Sequence, residues 1–356
     1  MFGQQNYCVD FEESRRHTRT VSAAFDVLAL GRSSVDIYPL QTGIGLDQVQ
    51  TFGKFLGGSA TNVAVAASRL GRRTALVTKT GDDPFGIFVR EELARFGVDP
   101  RFVSSEEGMQ TPVTFCELFP PEYFPLYFYQ SADVPYFKLR AGEMDMDAVR
   151  DASVLWCTGT GLAREPSREA HHAAWRARER ASNTVLDLDF RSRFWASRKD
   201  AIREMQRALP YVTVAIGNVE ECELATGQTN PVAAAKALLD AGVELAIVKQ
   251  GRLGSLAMTR HDSVMVPAIL VDTVNGLGAG DAFGGAVCHG LVEGWDLEQT
   301  LRFASAAGAL VAARLECANA MPTVSEVETM MSTGRLPESM EMHSRSEEHT
   351  SELQSH

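Results

Sequence analysis

The stretch LGGSATNVAVAASRLGRRTALVTKTG, residues 56–81, shows the pattern that decides the fold. Two glycines lead into an amphipathic helical pattern over 59–71, and the apolar run 74–81 that follows is typical of a buried strand. Strands that are apolar along their whole length indicate a parallel sheet, because helices cover both faces of such a sheet.

The same alternation extends outward through most of the chain. Further apolar runs that predict parallel strands are FDVLALG (25–31), ASVLWCTG (152–159), NTVLDLDF (183–190), VTVAIGN (212–218) and ELAIVKQG (244–251). Helical patterns lie between them, at 84–97, 167–181 and 231–242. The sequence therefore predicts an α/β protein, with a mostly parallel central sheet and helices on both of its faces.

Two stretches interrupt this alternation. Residues 33–56 and 101–138 are rich in Thr, Phe, Tyr and Pro, and they predict short antiparallel strands. We expect these strands to form a small sheet that projects from the main one. At the ligand end of the domain that sheet would act as a lid, and an edge extension or a dimer surface is an equally good interpretation.

One domain is predicted over residues 23–331. Residues 1–22 are predicted to be a disordered extension, and the polar, non-periodic residues 332–356 a disordered tail that is either native or a non-native addition. The first 24 residues contain no apolar segment of the secretory type, and the apolar run 304–313 is too short to span a bilayer. No membrane association is expected.

Composition narrows the functional classes. The chain has 356 residues, 34 basic and 46 acidic side chains and a net charge of −12, which argues against nucleic acid as the main partner. The six cysteines include no CxxC pair, and several lie in apolar stretches. Reduced, buried cysteines are typical of a reducing compartment, so we expect a cytoplasmic protein.

The segment NGLGAGDAFGGAVCHGL, residues 275–291, is the sharpest local motif. A glycine-rich loop that leads into a helix exposes backbone N–H groups at the positive end of the helix dipole, which favours phosphate or developing negative charge. Asp281, where loop meets helix, is either an N-cap or a general base that takes a proton from a hydroxyl. The sequence contains no GxGxxG after its first strand, no GxxxxGK[ST] and no GxSxG.

GGSATN and GAGD together resemble the paired signatures of the ribokinase-like (phosphofructokinase B-type) carbohydrate kinases. The resemblance covers roughly residues 25–325, and further family-like features follow in order: Asp36 in GRSSVDIYP, GDDPFG (81–86), GNVEE (217–221) and KQGRLG (249–254). It implies a ribokinase-like three-layer α/β/α sandwich with a β-sheet lid. It also implies phosphorylation of a sugar-like hydroxyl by ATP with Mg²⁺.

The resemblance assigns roles around the GAGD loop. Asp281 is the expected base, and the amides of Gly278, Ala279 and Gly280 are the expected anion hole for the transferred phosphoryl group. Gly278 and Gly280 are also expected to contact the nucleotide.

The same resemblance places the nucleotide and its metal. Asn218 and Glu221 match an NxxE motif that positions Mg²⁺, with Glu221 acting through water, and without the family they would be an N-cap and a first-turn acid. Lys249, Gly251 and Gly254 are expected to line the nucleotide site. The Ala-rich helix 304–315 is expected to flank the adenine, and close helix packing explains its composition equally well.

Residues that bind the phosphoryl acceptor are expected around the glycine pair of GGSATN. Asp36 and Asn62 match positions that bind sugar hydroxyls in the family, and Gly57 and Gly58 match positions where the backbone approaches the sugar.

Two further acceptor-binding residues are expected. Arg191 would contact the acceptor or the phosphates, or else form an ion pair with Asp187 or Asp189. Tyr129 belongs to an aromatic cluster of the lid that would close over the substrate or pack in a core.

Within the family, the wider sequence most resembles kinases of myo-inositol degradation that phosphorylate the terminal hydroxyl of a keto-deoxy sugar acid. A carboxylate substrate requires a cation, for which Arg191 is the candidate. Related keto-acid kinases often carry an Arg in the lid strand where this chain has Gln130, after Tyr129. Many relatives read Asp-Thr before GAGD where this chain has Asn275 and Gly276, so potassium activation is not predicted.

Two alternatives remain open from the sequence. The first is another kinase of this family, acting on 2-keto-3-deoxygluconate, fructose or ribose. The second is a nucleotide- or sugar-binding protein without turnover. A homodimer is expected because exposed aromatic strand edges are usually covered.

Overall fold

The computed structural model describes residues 24–131 and 133–336. Its strands are β1 (Val27–Leu30), β2 (Ser34–Pro39), β3 (Phe52–Gly57), β4 (Thr74–Gly81), β5 (Val98–Asp99), β6 (Val103–Glu106), β7 (Val113–Cys116), β8 (Leu126–Tyr129), β9 (Val154–Thr158), β10 (Thr184–Asp187), β11 (Val214–Asn218), β12 (Leu245–Lys249), β13 (Ser255–Met258) and β14 (Ser263–Val266). Its α-helices are α1 (Ser59–Arg69), α2 (Pro84–Arg95), α3 (Met146–Asp151), α4 (Ser167–Arg178), α5 (Arg198–Ala208), α6 (Val219–Thr226), α7 (Pro231–Asp240), α8 (Ala279–Glu293), α9 (Leu297–Ala312) and α10 (Val324–Thr333).

The main sheet confirms the predicted α/β class. Its order is β14-β13-β12-β11-β10-β9-β1-β4-β5, and β6 also pairs with β4. All pairs from β12 through to β5 are parallel, whereas β13 and β14 form an antiparallel edge that the sequence patterns did not single out. The functional residues gather at the carboxyl ends of the central strands, the usual ligand edge of such sheets.

Two apolar layers cover the sheet. Leu28 and Leu30 of β1 belong to a core with residues of α4, α5 and α7, whereas Val27 and Ala29 belong to a second core with residues of α1, α8 and α9. Because successive strand residues point to opposite faces, these cores lie on the two sides of the sheet. The protein is a three-layer α/β/α sandwich.

A second, four-stranded sheet has the order β3-β2-β7-β8 and occupies the two stretches predicted as a lid. Its strands were predicted to be antiparallel, but β2 and β7 pair in parallel because a long connection through the main sheet separates them in sequence. Residues 103–106, which were grouped with the lid, instead form β6 and extend the main sheet beside β4.

The predicted ends of the domain need one correction. The predicted extension 1–22 lies outside the described residues. At the other end α10 runs to Thr333 and Leu336 packs against the core, so residues 332–336 belong to the globular part. The rest of the predicted tail is outside the described residues. Over 24–131 and 133–336, no helix is both long and apolar enough to cross a membrane.

Candidate active site

The GAGD loop forms the N-terminus of α8. Gly278 is the N-cap, with a φ of 81° that favours glycine, and no described side chain caps the helix. The N–H groups of the first turn are therefore directed at space that an anion can fill. Asp281 lies inside this first turn rather than at the cap, which excludes its interpretation as an N-cap.

Asp281 is held by the other glycine-rich element. The Asn62 amide donates a hydrogen bond of 2.8 Å to its Oδ2, and the Ser59 hydroxyl lies 3.3 Å from its Oδ1. Both donors come from the first turn of α1, so the structure brings GGSATN and GAGD together. Loss of hydration raises the pKa of Asp281 to about 6, although the Asn62 hydrogen bond opposes the shift.

Two other carboxylates lie at the end of β10 and just after it. Burial raises the pKa of Asp187 to about 8, so this group holds a proton near neutral pH. Asp189 pairs with Arg191 at 3.0 Å, and the charge of Arg191 lowers the pKa of Asp189 although burial opposes it. Of the three carboxylates, Asp281 is the one that is both ionised at neutral pH and free of an ion pair within the described chain.

Arg191 therefore forms the ion pair with Asp189 that the sequence left open as an alternative to a ligand contact. Besides Asp189, its guanidinium lies 3.9 Å from Glu221, and 35% of its side chain is exposed. Its Nε has no hydrogen-bond partner within the described residues.

Asp36 is buried at the base of the small sheet. Its carboxylate accepts hydrogen bonds of 3.0 Å from the hydroxyls of Ser34 and Tyr38. A Cβ on Gly57 would lie 2.0 Å from Asp36 Oδ1, and one on Gly58 would lie 2.6 Å from the Arg32 carbonyl. Glycines at both positions let the β3–α1 turn close on β2, so this pair is required by the fold as well as available to a ligand.

Tyr129 was predicted to bind the acceptor, but the structure does not bring it to the residues around Asp36 and Asp281. Asp36, Thr114 and Phe128 are register partners across β2, β7 and β8 and share one face of the small sheet. The next residue, Tyr129, points to the opposite face with 68% of its surface exposed. It lines an open cleft of about 790 Å³ that contains none of the residues around Asp281. Phe128, which is buried, lies toward the site instead.

A cavity of about 700 Å³ lies on the other side of the GAGD loop. The predicted nucleotide residues that line it are Asn218, Lys249, Gly251, Gly254 and Gly280, together with Ala279. Opposite them α9 contributes Ser305, Gly308, Ala309 and Ala312, whose small side chains leave the space open. Gly278, the remaining predicted member, is the N-cap next to Ala279 and does not line the cavity itself.

Asn218 and Glu221 form a capping box at the start of α6. Glu221 N–H donates to Asn218 Oδ1 at 2.9 Å, and Asn218 N–H donates to Glu221 Oε2 at 2.8 Å. Glu221, Asp187 and Asp281 together raise the pKa of Lys249, although burial opposes the shift. Within the described residues no three His, Cys, Asp or Glu side chains form a metal-binding group.

Comparison with known proteins agrees with this arrangement. The model of the pfkB family of carbohydrate kinases matches residues 24–324. The chain belongs to this family. Its members are carbohydrate kinases, which act on small-molecule sugars. That class fits a site in which Asp281 lies at the N-terminus of α8, beside the cavity of about 700 Å³.

Individual relatives refine the comparison. A 5-dehydro-2-deoxygluconokinase of Shouchella clausii is 31% identical over 86% of this chain and 95% of its own length. Among solved structures, a protein provisionally described as ribokinase II from E. coli, in complex with ATP and Mg²⁺, has a TM-score of 0.78 at 24% identity, covering 86% of this chain and 99% of its own. An uncharacterized sugar kinase from Pyrococcus horikoshii, in complex with ATP, has a TM-score of 0.71 at 27% identity, covering 84% and 96%. These likenesses confirm the predicted ribokinase-like fold.

Sequence reasoning missed one side chain of this carbohydrate kinase site. Arg32 lies two residues after the end of β1, is 8% exposed and exerts its charge on Asp36, Asp189 and Asp281. The only signal in the sequence was its place just after an apolar strand that ends in glycine, at the edge where ligands bind.

Proposed function

We propose that this pfkB-family kinase transfers the γ-phosphoryl group of ATP to the terminal hydroxyl of 5-dehydro-2-deoxy-D-gluconate, in myo-inositol catabolism. The name of the Shouchella clausii relative supports the acceptor. The observation that carries the chemistry is the position of Asp281, which lies in the first turn of α8, contacts α1 on the Asp36 side and adjoins the cavity lined by Lys249.

ATP is the proposed phosphoryl donor. The cavity of about 700 Å³ is of a size that holds a nucleotide, and its α9 wall of small residues leaves room for a flat base. Lys249 and the N-terminus of α8 offer positive charge for the phosphates. The ATP-bound Pyrococcus horikoshii and E. coli neighbours support the same assignment.

Mg²⁺ is proposed to enter with ATP and to neutralise charge on its phosphates. This ion keeps most of its ligands as water and phosphate oxygens and needs few carboxylates. Glu221, whose charge acts on Lys249 at the cavity, would hold its waters. We assign Glu221 an indirect role because its Oε2 already accepts the capping hydrogen bond.

The residues act by position and charge. Asp281 accepts the proton of the acceptor hydroxyl as the oxygen attacks phosphorus. Asn62 and Ser59 orient the Asp281 carboxylate, and the N–H groups at Gly278, Ala279 and Gly280 stabilise the negative charge of the phosphoryl group as it moves. Asp36 and Asn62 bind acceptor hydroxyls.

A pH dependence follows from the pKa of Asp281. The base works only when deprotonated, so kcat/KM is expected to rise about tenfold per unit below pH 6 and to level off above it. This carboxylate feels the charges of Asp189, Arg32 and Lys249, and its own charge acts on Asp187. Initial rates between pH 5 and 8 at saturating Mg²⁺-ATP test this, and a rate that stays flat down to pH 5 would contradict it.

ADP release tests the proposed function. Purified protein is given ATP, Mg²⁺ and, separately, 5-dehydro-2-deoxygluconate, 2-keto-3-deoxygluconate, fructose and ribose. We expect the highest kcat/KM with the first acceptor. Preference for another acceptor would refute the substrate while keeping the mechanism, and no turnover with any would favour a binding protein.

A homodimer and a cytoplasmic location remain proposals. Tyr123, Tyr127 and Tyr129 expose aromatic surface on or beside the small sheet, and a second copy covering it would bury that surface. The five described cysteines are free and buried, which suits a reducing compartment.

A further inference from the structure

Arg32 is a buried guanidinium with an incomplete set of partners. The residue is 8% exposed, and its Nε has no hydrogen-bond partner. None of its guanidinium nitrogens forms a hydrogen bond or an ion pair with any residue in 24–131 or 133–336. Burying an unpaired charge is costly, so a position of this kind needs an explanation.

The same protein shows what a satisfied buried arginine looks like. Arg178 is 4% exposed, and its guanidinium donates to the hydroxyl of Thr184 and to the carbonyls of Val149, Arg150, Ala152 and Ser182. Arg178 thus connects α3 to the segments that precede β9 and β10, at the edge of the sheet opposite the site. The contrast indicates that Arg32 is not kept for such a structural purpose.

The surroundings of Arg32 place it on the acceptor side. Its Cζ lies 5.7 Å from the ring centre of Phe128, on the inner face of the small sheet. Its backbone carbonyl accepts a hydrogen bond from Thr61 in the first turn of α1. Its charge acts on Asp36 and Asp281 without a direct contact to either. Arg32 does not line the cavity assigned to ATP.

The other cation considered for this role, Arg191, already forms ion pairs, although its Nε also has no hydrogen-bond partner within the described residues. Arg191 pairs with Asp189 at 3.0 Å and lies 3.9 Å from Glu221. Gln130, which is neutral, donates to the Tyr136 hydroxyl at 2.9 Å. Among the described residues, Arg32 is therefore the buried cation beside Phe128 that has no hydrogen bond or ion pair, whereas Arg193, 5.4 Å from the same ring centre, is exposed.

We propose that Arg32 binds the carboxylate of the acceptor and makes this kinase selective for an anionic substrate. The inference rests on the proposed function and deepens it. A guanidinium matches a carboxylate with two parallel hydrogen bonds, and burial strengthens both. The Phe128 ring covers the guanidinium on one side and limits competition from water.

A matched pair of acceptors tests this assignment. The acceptor acid and its primary amide have nearly the same size and differ in charge and in the amide N–H donors. Both are assayed with the wild-type protein and with Arg32→Met, which keeps an unbranched apolar stem and removes the guanidinium. We expect the wild type to favour the acid by about 100-fold in kcat/KM. In Arg32→Met, kcat/KM for the acid falls by about that factor, the amide changes less than about threefold, and KM for ATP is unchanged.

Two further variants complete the test. Arg32→Lys retains the positive charge but loses the two parallel N–H donors of the guanidinium. It should therefore recover part of the preference for the acid even if Arg32→Met folds poorly. Arg191→Met serves as the comparison. Whatever its overall rate, it should keep the wild-type ratio of acid to amide.

The outcomes separate the two proposals. If the wild type does not phosphorylate the acid, the proposed function fails and the Arg32 assignment with it. If the wild type does so and Arg32→Met lowers acid and amide equally, or raises KM for ATP, Arg32 does not bind the acceptor carboxylate and only this inference is overturned. Loss of the preference in Arg191→Met, with Arg32→Met unaffected, would assign the carboxylate to Arg191.

Discussion

Replacement of Asp281 by asparagine is expected to lower kcat by about 10³-fold while ATP still binds. The amide cannot accept the hydroxyl proton, and removal of a general base typically costs 10²- to 10⁴-fold. Asparagine keeps an oxygen for the hydrogen bond from Asn62, so the N-terminus of α8 should keep its structure. Steady-state ADP release and calorimetric titration with ATP measure the two effects separately.

Asp296→Asn is the matched control for this variant. Asp296 caps α9 by accepting from Gln299 N–H, and asparagine is an equally good cap, so kcat and the midpoint of thermal unfolding should both stay near those of the wild type. If Asp281→Asn retained kcat within about tenfold, the base would have to be another group.

The second large effect is expected at the cap of α8. Gly278 has a φ of 81°, and a Cβ there would lie 2.8 Å from Cys317 Sγ, so Gly278→Ala must shift the loop that carries the anion hole. A displacement near 1 Å of positioned groups can cost about 10²-fold in rate. We expect kcat to fall by that factor, with a smaller change in KM for the acceptor, in the ADP-release assay.

Gly294→Ala, at the other end of the same helix, separates catalysis from stability. Gly294 has a φ of 68°, and a Cβ there would meet no described atom within 4 Å. A left-handed backbone at alanine lowers the free energy of unfolding by about 1–2 kcal/mol, so both variants should have a lower melting temperature. Only Gly278→Ala should slow turnover, and equal slowing in both variants would mean that the rate follows helix stability.

The architecture was accessible from the sequence because its signals are local. Runs such as FDVLALG and the helical pattern 59–71 reflect burial on a parallel sheet, and each maps onto an observed strand or helix. The two glycine motifs also predicted their own turns. What local patterns did not give was the pairing of strands distant in sequence, so the parallel β2–β7 pair and the place of β6 in the main sheet were predicted wrongly.

The site was only partly accessible for the same reason. Asp281 meets Asn62 across 219 positions of sequence, and the motifs predicted that meeting only through resemblance. The contact of Tyr38 Oη with Cys317 Sγ at 2.7 Å, which links the acceptor side to the anion hole, has no sequence pattern. Arg32 was missed because a lone arginine after a strand is indistinguishable from a surface charge until its burial is known.

The most direct test of phosphoryl transfer to a terminal hydroxyl is ³¹P NMR of the reaction with 5-dehydro-2-deoxygluconate, without proton decoupling. The account predicts a new phosphomonoester signal split into a triplet by the two protons of a terminal methylene, absent with Asp281→Asn on the same time scale. A doublet would place the phosphate on a secondary hydroxyl. Inorganic phosphate and ADP as the only new signals would show ATP hydrolysis and contradict the account.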